Sequence, residues 1–358
     1  MASGFIIGDV YYCGERAIMN LFIKERNDWS EKDICDIDAF ILAPSTNGEF
    51  INSLRFLSYH PKNRFQDASI AIFDRDCGRL CGVVLANEIR CSKETCLVSH
   101  QGTTFAGPVL SQRLGIRETK AVLECIISYY EARYSKIEFR LAPEIYGTQP
   151  FGRIEYFLLC HGYQYGLSGL ANVISLSGIT DENTSLLLYK AKRRNQVRKA
   201  LREHKYHIQH FEIVPEYAWH SLEENLWDKY GVKPTHTLSE INDLLLRFPQ
   251  NISVDVALRS DGCYGALAVS FLFRRVWHTQ YLDLNYALAK DYPNLFLIHE
   301  LIGEAIQQGY PWFSFGVSNE RNVKVLNEGL FDYKSNFGGG EVLLPCFVKK
   351  RCDGHFAN

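Results

Sequence analysis

A chain of 358 residues with 46% hydrophobic and 22% charged residues has the makeup of a folded protein long enough for two cores, which excludes a disordered or collagen-like chain. Its formal net charge of −2 excludes a global pull toward nucleic acid or anionic membrane, so a polyanion has to be met by a local patch. In chain order, the apolar pattern predicts strands over 69–73, 80–86 and 105–110. A helix follows over 117–133, its buried face marked by Ala121, Val122, Cys125, Ile126 and Tyr129. Then come a strand at 137–141, a helix at 153–161 and a strand at 171–176.

The second half repeats that order. Strands are predicted at 253–258, 264–273 and 276–285, the last two parted by the basic turn Arg274-Arg275. The next helix has the stripe Ile298, Leu301, Ile302, Ala305 and Ile306, and Gly309 stands where a C-terminal cap belongs. A strand at 312–316, a helix at 319–330 and a strand at 342–347 complete the list. The repeat is one of architecture, not of residues.

Eleven cysteines in a chain too large to need staples read as reduced thiols, and residues 1–5 (MASGF) lack the basic start and long apolar core of a secretory leader. Both point to the cytoplasm. Neither Cys77/Cys81 nor Cys91/Cys96 has the CxxC spacing that puts two thiolates on one zinc, so no metal is expected. The longest uncharged apolar run, 265–273, falls far short of the ~18 residues needed to cross a bilayer.

Between the halves, residues 190–205 hold eight Lys or Arg against one Glu. In a helix Arg194, Arg198 and Arg202 share one face while Val197, Ala200 and Leu201 turn inward. Such a stripe is either a solvated surface or a docking site for phosphates, whose oxygens suit arginine forks. No DNA-binding module surrounds it, so DNA is not the expected partner.

The last quarter carries the most specific pattern. FSFGVSNE at 313–320 leads to NEGLFDYKSNFGG at 327–339, which resembles the C-terminal signature of Fem-type aminoacyl and acyl transferases. Gly316, Ser318, Gly329, Leu330, Lys334, Phe337, Gly338 and Gly339 match, whereas Ser314 and Tyr333 replace the usual Asp and Phe. RNQVRKA at 194–200 and YLDLNY at 281–286 are also similar to the family. In the first half, FLSYHPKNRFQD at 56–67 and LVSHQG at 97–102 resemble related acetyltransferase-like proteins that accompany bacterial cell-surface polysaccharide genes. The resemblance implies an α/β fold with mixed sheets, built as two tandem acyl-CoA N-acyltransferase-like (GNAT-like) domains. They are expected at 1–180 and 181–358, the second carrying the basic helix.

It also implies a cytoplasmic enzyme that moves an aminoacyl or acyl group onto an amine of a nucleotide- or lipid-linked sugar in cell-wall or surface-polysaccharide synthesis. The donor is then aminoacyl-tRNA, with tRNA a partner, or acyl-CoA; no other cofactor is implied. Such chemistry needs a deprotonated acceptor, charge against the tetrahedral oxyanion and a held leaving group. Lys334, at the family's lysine position, is the candidate for that charge, or else a solvated lysine before a glycine turn. Asp283 and His299 are candidate proton acceptors, or a loop cap and a structural histidine. Tyr59, His60, Lys62 and Arg64 gather groups able to grip a sugar diphosphate. Ser99, His100, Tyr286 and Ser318 are candidate acceptor contacts, and Arg194 and Lys199 candidate phosphate contacts.

Gln112, Arg113 and Gly115 lie where an N-acetyltransferase holds coenzyme A pyrophosphate at a helix start, although Arg117 departs from the pattern Arg/Gln-x-x-Gly-x-Gly/Ala. The matching stretch of the second half, 287–294, has no glycine, so a coenzyme A site of the ordinary kind is expected in the first half if anywhere. Two alternatives stand beside the Fem-like reading. One is an acyl-CoA-dependent N-acetyltransferase, and the other a catalytically silent sugar-binding scaffold.

Overall fold

The structure, a computed structural model, describes residues 19–91, 94–320, 323–352 and 355–356. The leader reading at residues 1–5 lies outside them, as does the Cys91 side chain. Packing divides the chain into two units. The first runs through Ser168 and takes back the segment from Leu344 onward; the second is Gly169–Leu343.

In the first unit, β1 (Leu21–Glu25) leads to α1 (Glu31–Leu42) and the short α2 (Leu54–Leu57). α1 starts at Ser30, whose side chain accepts from the Asp33 amide while Asp33 accepts from the Ser30 amide, a capping box. Then come β2 (Gln66–Asp67), β3 (Ile70–Asp74), β4 (Leu80–Val84), β5 (Asn87–Cys91), β6 (Glu94–Ser99) and β7 (Pro108–Leu110). α3 (Ile116–Glu131), β8 (Lys136–Arg140), α4 (Arg153–Cys160) and β9 (Gln164–Gly166) follow. One sheet has the order β1-β3-β4-β7. In the other, β6 runs parallel to β8 and antiparallel to β5. α3 packs Val122, Leu123, Ile126, Ile127 and Tyr130 into the core, each such aliphatic side chain contributing roughly 1.5–3 kcal/mol. The buried face is thus rotated slightly from the one expected, with Leu123 and Ile127 inward in place of Ala121 and Cys125.

The second unit opens with β10 (Leu170–Ser175), α5 (Glu182–Ser185) and α6 (Ala191–Glu203). β11 (Tyr206–His210), α7 (Glu216–Tyr230) and α8 (Leu238–Arg247) lead to β12 (Ile252–Arg259), β13 (Tyr264–Leu272) and β14 (Val276–Leu284). α9 (Pro293–Gln307), β15 (Trp312–Val317), α10 (Glu328–Ser335) and β16 (Gly340–Leu343) complete it. The sheet order is β11-β12-β13-β14-β15-β10-β16. α9 is buried along Leu297, Ile298, Leu301, Ile302 and Ala305 against the sheet, four of the five residues of the expected stripe, with Ile306 only partly buried and Leu297 added. Gly309 takes φ +79 just past its end. Among the described residues no helix is long and apolar enough to cross a membrane.

Four expectations are corrected. The strand expected to close the first half, β10, belongs to the second unit, where it lies between β15 and β16. The strand expected at 342–347 is two strands. Pro345 offers no amide for a ladder, and beyond it β17 (Cys346–Cys352) pairs with β8 and β9 of the first unit, with β18 (His355–Phe356) on its edge. The boundary expected at 180 therefore moves to 168, and the last segment changes unit. The helix expected at 319–330 forms later, as α10, because Asn319 is tied down: its side chain accepts from the Leu170 amide and donates to the Val323 carbonyl. Asn327 then caps α10 by accepting from the Leu330 amide.

Candidate active site

β14 and β15 run parallel, and their pairing spans only Val276–His278 against Trp312–Ser314, although β14 continues to Leu284. Where the pairing stops, Gly316 sits at φ +66, and a side chain there would come within 3.1 Å of the His278 ring. Glycine is thus required both by its backbone and by that close approach. His278 Nδ1 lies 3.2 Å from Ser314 Oγ, and Ser314 Oγ accepts from the Gly316 amide at 3.2 Å. From α10, Lys334 donates to the carbonyls of Gly316 at 3.2 Å and Val317 at 2.6 Å. Lys334 is only 6% exposed, and burial pulls its ammonium down to about 7. Burial and then the neighbouring Lys334 hold His278 down at about 4, so it is neutral at physiological pH. Ser318 donates to Asn172 Oδ1, and Asn172 in turn donates to Ser335, which fixes α10 against β10. Gly338 and Gly339 (φ +84 and +87) turn the chain under Leu188 and Val173, whose backbone atoms leave no room for a Cβ.

A cavity of about 310 Å³ opens in the same unit at the start of α9, lined by Lys192, Arg193, Gln196, Asn294, Tyr333 and Asn336 among others. The N-cap of α9, Tyr292, has no side-chain cap, and Pro293 follows it, so the positive end of a 15-residue helix faces this space without an acidic cap. Arg193 is the centre of the lining. It is 7% exposed and donates through one Nη to the Tyr333 carbonyl at 3.2 Å. Its guanidinium lies over the Tyr333 and Phe337 rings. Its Nε is buried and finds no acceptor among the described residues, and burial depresses its pKa. A buried cation without an anionic partner is costly, and this one lies where an anion would complete it. Asn294 also donates to the Tyr333 hydroxyl.

Arg193 and His278 were not among the expected site residues. The signal for Arg193 was present: it precedes Val197 by four residues and so shares the inward stripe with Val197 and Ala200, all three buried. Arg198 and Arg202 are exposed and Arg194 half-buried, as the helical spacing required. Lys199 pairs with Glu203 and lies over the Tyr292 ring.

The two proton-acceptor candidates lie elsewhere. Asp283 is buried and accepts from Ser221, Asn225 and Tyr264, three donors that fix β14 to α7 and β13. His299 is buried in the core, its Nδ1 3.0 Å from the Tyr189 hydroxyl, with burial holding it at about 4. Tyr286 is exposed, with the Lys229 ammonium over its ring.

In the first unit the two sequence-distant motifs meet. His60 Nε2 lies 3.3 Å from the Gly102 carbonyl, and His100 Nδ1 accepts from the Gly102 amide at 3.0 Å. Phe65 stands edge-on between the two histidine rings, Tyr59 packs on His60, and Arg64 reaches His60 Nδ1. Lys62 is exposed. His100 is held at about 4 by burial, then by His60 and Arg140. Ser99 is consumed structurally, accepting from the amides of Gly107 and Arg140. At the start of α3, where the pyrophosphate site was expected, Glu118 accepts from the Gly115 amide at 2.7 Å, which sets a carboxylate against the helix start. Arg113 is exposed, and Gln112 lines a separate small cavity.

Residues 191–335 match the model of the acetyltransferase (GNAT) domain family. FemX superposes with a TM-score of 0.64 at 13% identity, over 88% of this chain and 95% of that one. A tandem GNAT protein from the clavulanic acid biosynthesis pathway gives 0.51 at 6% identity, over 92% and 98%. The C-terminal domain of a putative lysylphosphatidylglycerol synthetase from Agrobacterium fabrum gives 0.50 at 12%, over 78% and 82%. No curated protein matches this chain in sequence. The fold is therefore a tandem of two GNAT-like units, and the family match makes the protein an acyltransferase. Within that class its architecture is Fem-like.

Proposed function

We propose that the second unit binds a phosphate-bearing acyl donor in the cavity at the start of α9 and passes its aminoacyl or acyl group to an amine of a nucleotide- or lipid-linked sugar. The observation that carries this reading is Arg193, a buried guanidinium without an anionic partner among the described residues, beside an uncapped helix start and with Lys192 on the same wall. It supports a diphosphate or polynucleotide phosphate held without a glycine-rich loop. The acceptor amine attacks the acyl carbonyl and loses a proton, the carbonyl oxygen becomes an oxyanion, and the thiol or hydroxyl of the donor leaves with its electron pair and a proton. Lys334, balanced near neutrality at the open end of the β14/β15 pair, supplies positive charge toward that oxyanion. The likeness to FemX and to the synthetase domain supports a sugar- or lipid-linked acceptor. The exposed Arg198 and Arg202, on the helix that carries Arg193, favour aminoacyl-tRNA over coenzyme A as donor.

The test is thermal stabilisation by acetyl-CoA, longer acyl-CoAs, aminoacyl-tRNA, UDP-linked amino sugars and UDP, since a ligand of the folded state alone raises Tm. A donor that stabilises the wild type should fail to stabilise Arg193→Met. If coenzyme A esters act this way, the donor is acyl-CoA; if only aminoacyl-tRNA does, the donor is that. Equal stabilisation of wild type and variant by every donor, or stabilisation by none, overturns the reading.

A further inference from the structure

We propose that His210, Asp255 and Glu304 form a binding site for a divalent transition-metal ion on the edge of the second unit's sheet, remote from the α9 cavity. Three elements bring them together. His210 and Asp255 are direct cross-strand partners on β11 and β12, and α9 packs on both strands, setting Glu304 over the pair. One ligand atom from each lies within 4.8 Å of the others. Two ligands of one zinc ion, each about 2.1 Å from the metal, stand at most about 4.2 Å apart, so the set closes when the hydrogen-bonded His210–Asp255 pair opens to admit the ion and the half-buried Glu304 side chain rotates toward it.

The charges are unbalanced without an ion. Asp255 is completely buried, and its partners are the His210 Nδ1 at 2.5 Å and the Ser253 hydroxyl at 3.0 Å. Glu304 accepts from Gln308 at 2.8 Å. No lysine or arginine pairs with either carboxylate among the described residues, so two carboxylates face a single imidazole. A divalent ion that displaces the proton shared by His210 and Asp255 balances both carboxylates and leaves the imidazole neutral, its ligating form. Ser253 and Gln308 then hold the carboxylates from behind, the outer support that ligand groups require. One imidazole with two carboxylates suits zinc, cobalt or manganese better than calcium. His210 is 65% exposed, which gives the ion an entry path. The distance along α9 from Asn294 to Glu304, about 15 Å at 1.5 Å per residue, makes this a structural clamp on the edge strand, independent of the proposed donor site.

The test is titration of metal-stripped protein with Zn²⁺ by calorimetry and with Co²⁺ by absorption. One ion should bind, Zn²⁺ should raise Tm, and the cobalt spectrum should lack a thiolate charge-transfer band. His210→Ala and Glu304→Gln, both outside the core, should fold with wild-type circular dichroism and lose affinity by about tenfold or more. Absence of binding up to millimolar metal overturns the proposal. Binding that both variants retain unchanged places the ion elsewhere, and cobalt–thiolate bands place it on cysteines; either overturns the proposal.

Discussion

Lys334 shows how burial moves the titration of a common residue toward neutrality. In the unfolded chain its ammonium titrates at about 10.4, whereas in the fold it titrates at about 7. The unfolded state therefore binds more protons between these values, and stability rises with pH across that window. Below pH 7 both states are charged, and the full cost of burying the ammonium is present, on the order of 4 kcal/mol. Lys334→Met keeps most of the length of the side chain and removes the titration. The stability difference, wild type minus variant, should rise from pH 7 to about 10, read by urea denaturation at several pH values. A flat difference would mean that Lys334 is ordinary in its titration. The same variant should lose acyl transfer while retaining the donor-induced rise in Tm, because Arg193 and not Lys334 lines the donor cavity.

At the scale of elements, α3 and α9 are equivalent helices with opposite starts. α3 has its first amide closed by Glu118, while α9 begins at Tyr292 without a side-chain cap. A capping carboxylate removes the attraction for an anionic ligand that an open helix start provides. Glu118→Ala should therefore cost about 0.5–2 kcal/mol of first-unit stability and leave donor stabilisation unchanged, measured by denaturation and by Tm with and without donor. Loss of donor stabilisation in this variant would return the donor to the first unit. The order of strands and helices was legible because period-2 and period-3.6 patterns survive in the core-facing residues, as in β8 and α9. Less was legible in the site. Lys334 and Gly316 came from a motif, but the hydrogen-bond partners of Asp283 and His299, Ser221, Asn225 and Tyr264 for one and Tyr189 for the other, come from elements distant in sequence and were not legible. The β5/β6 hairpin escaped because its charged, solvent-facing residues mask the alternation, and Arg193 because a basic run reads as surface even when one member faces inward.

For the whole molecule, the decisive feature is that the first unit is completed by β17, a strand that follows the whole second unit in sequence. β17 pairs with β8 through Cys346–Lys350 and with β9 through Cys346–Val348, and Phe347 is fully buried in the first core beside Ile137 and Phe139. No local pattern announces this, since strand pairing across about 200 residues is decided by burial and not by sequence proximity. Lys349 strengthens the attachment through an ion pair with Glu131 of α3 at 2.9 Å. Ending the chain at Leu344 removes Phe347, exposes one edge of β8 and leaves β9 without its partner. Loss of a buried phenylalanine alone costs about 3–5 kcal/mol, comparable with the whole stability of many domains. The second unit keeps every strand of its sheet, because β16 ends at Leu343. The truncated protein should therefore lose the first unit and retain the second. Trp29 reports the first unit alone, because the other four tryptophans, Trp219, Trp227, Trp277 and Trp312, lie in the second. In a background with those four replaced by phenylalanine, Trp29 fluorescence should become solvent-exposed on truncation. With the native tryptophans, a cooperative unfolding transition of the second unit should persist. Retention of a buried Trp29 signal would show that β8 can end the sheet by itself and that the returning strand is dispensable.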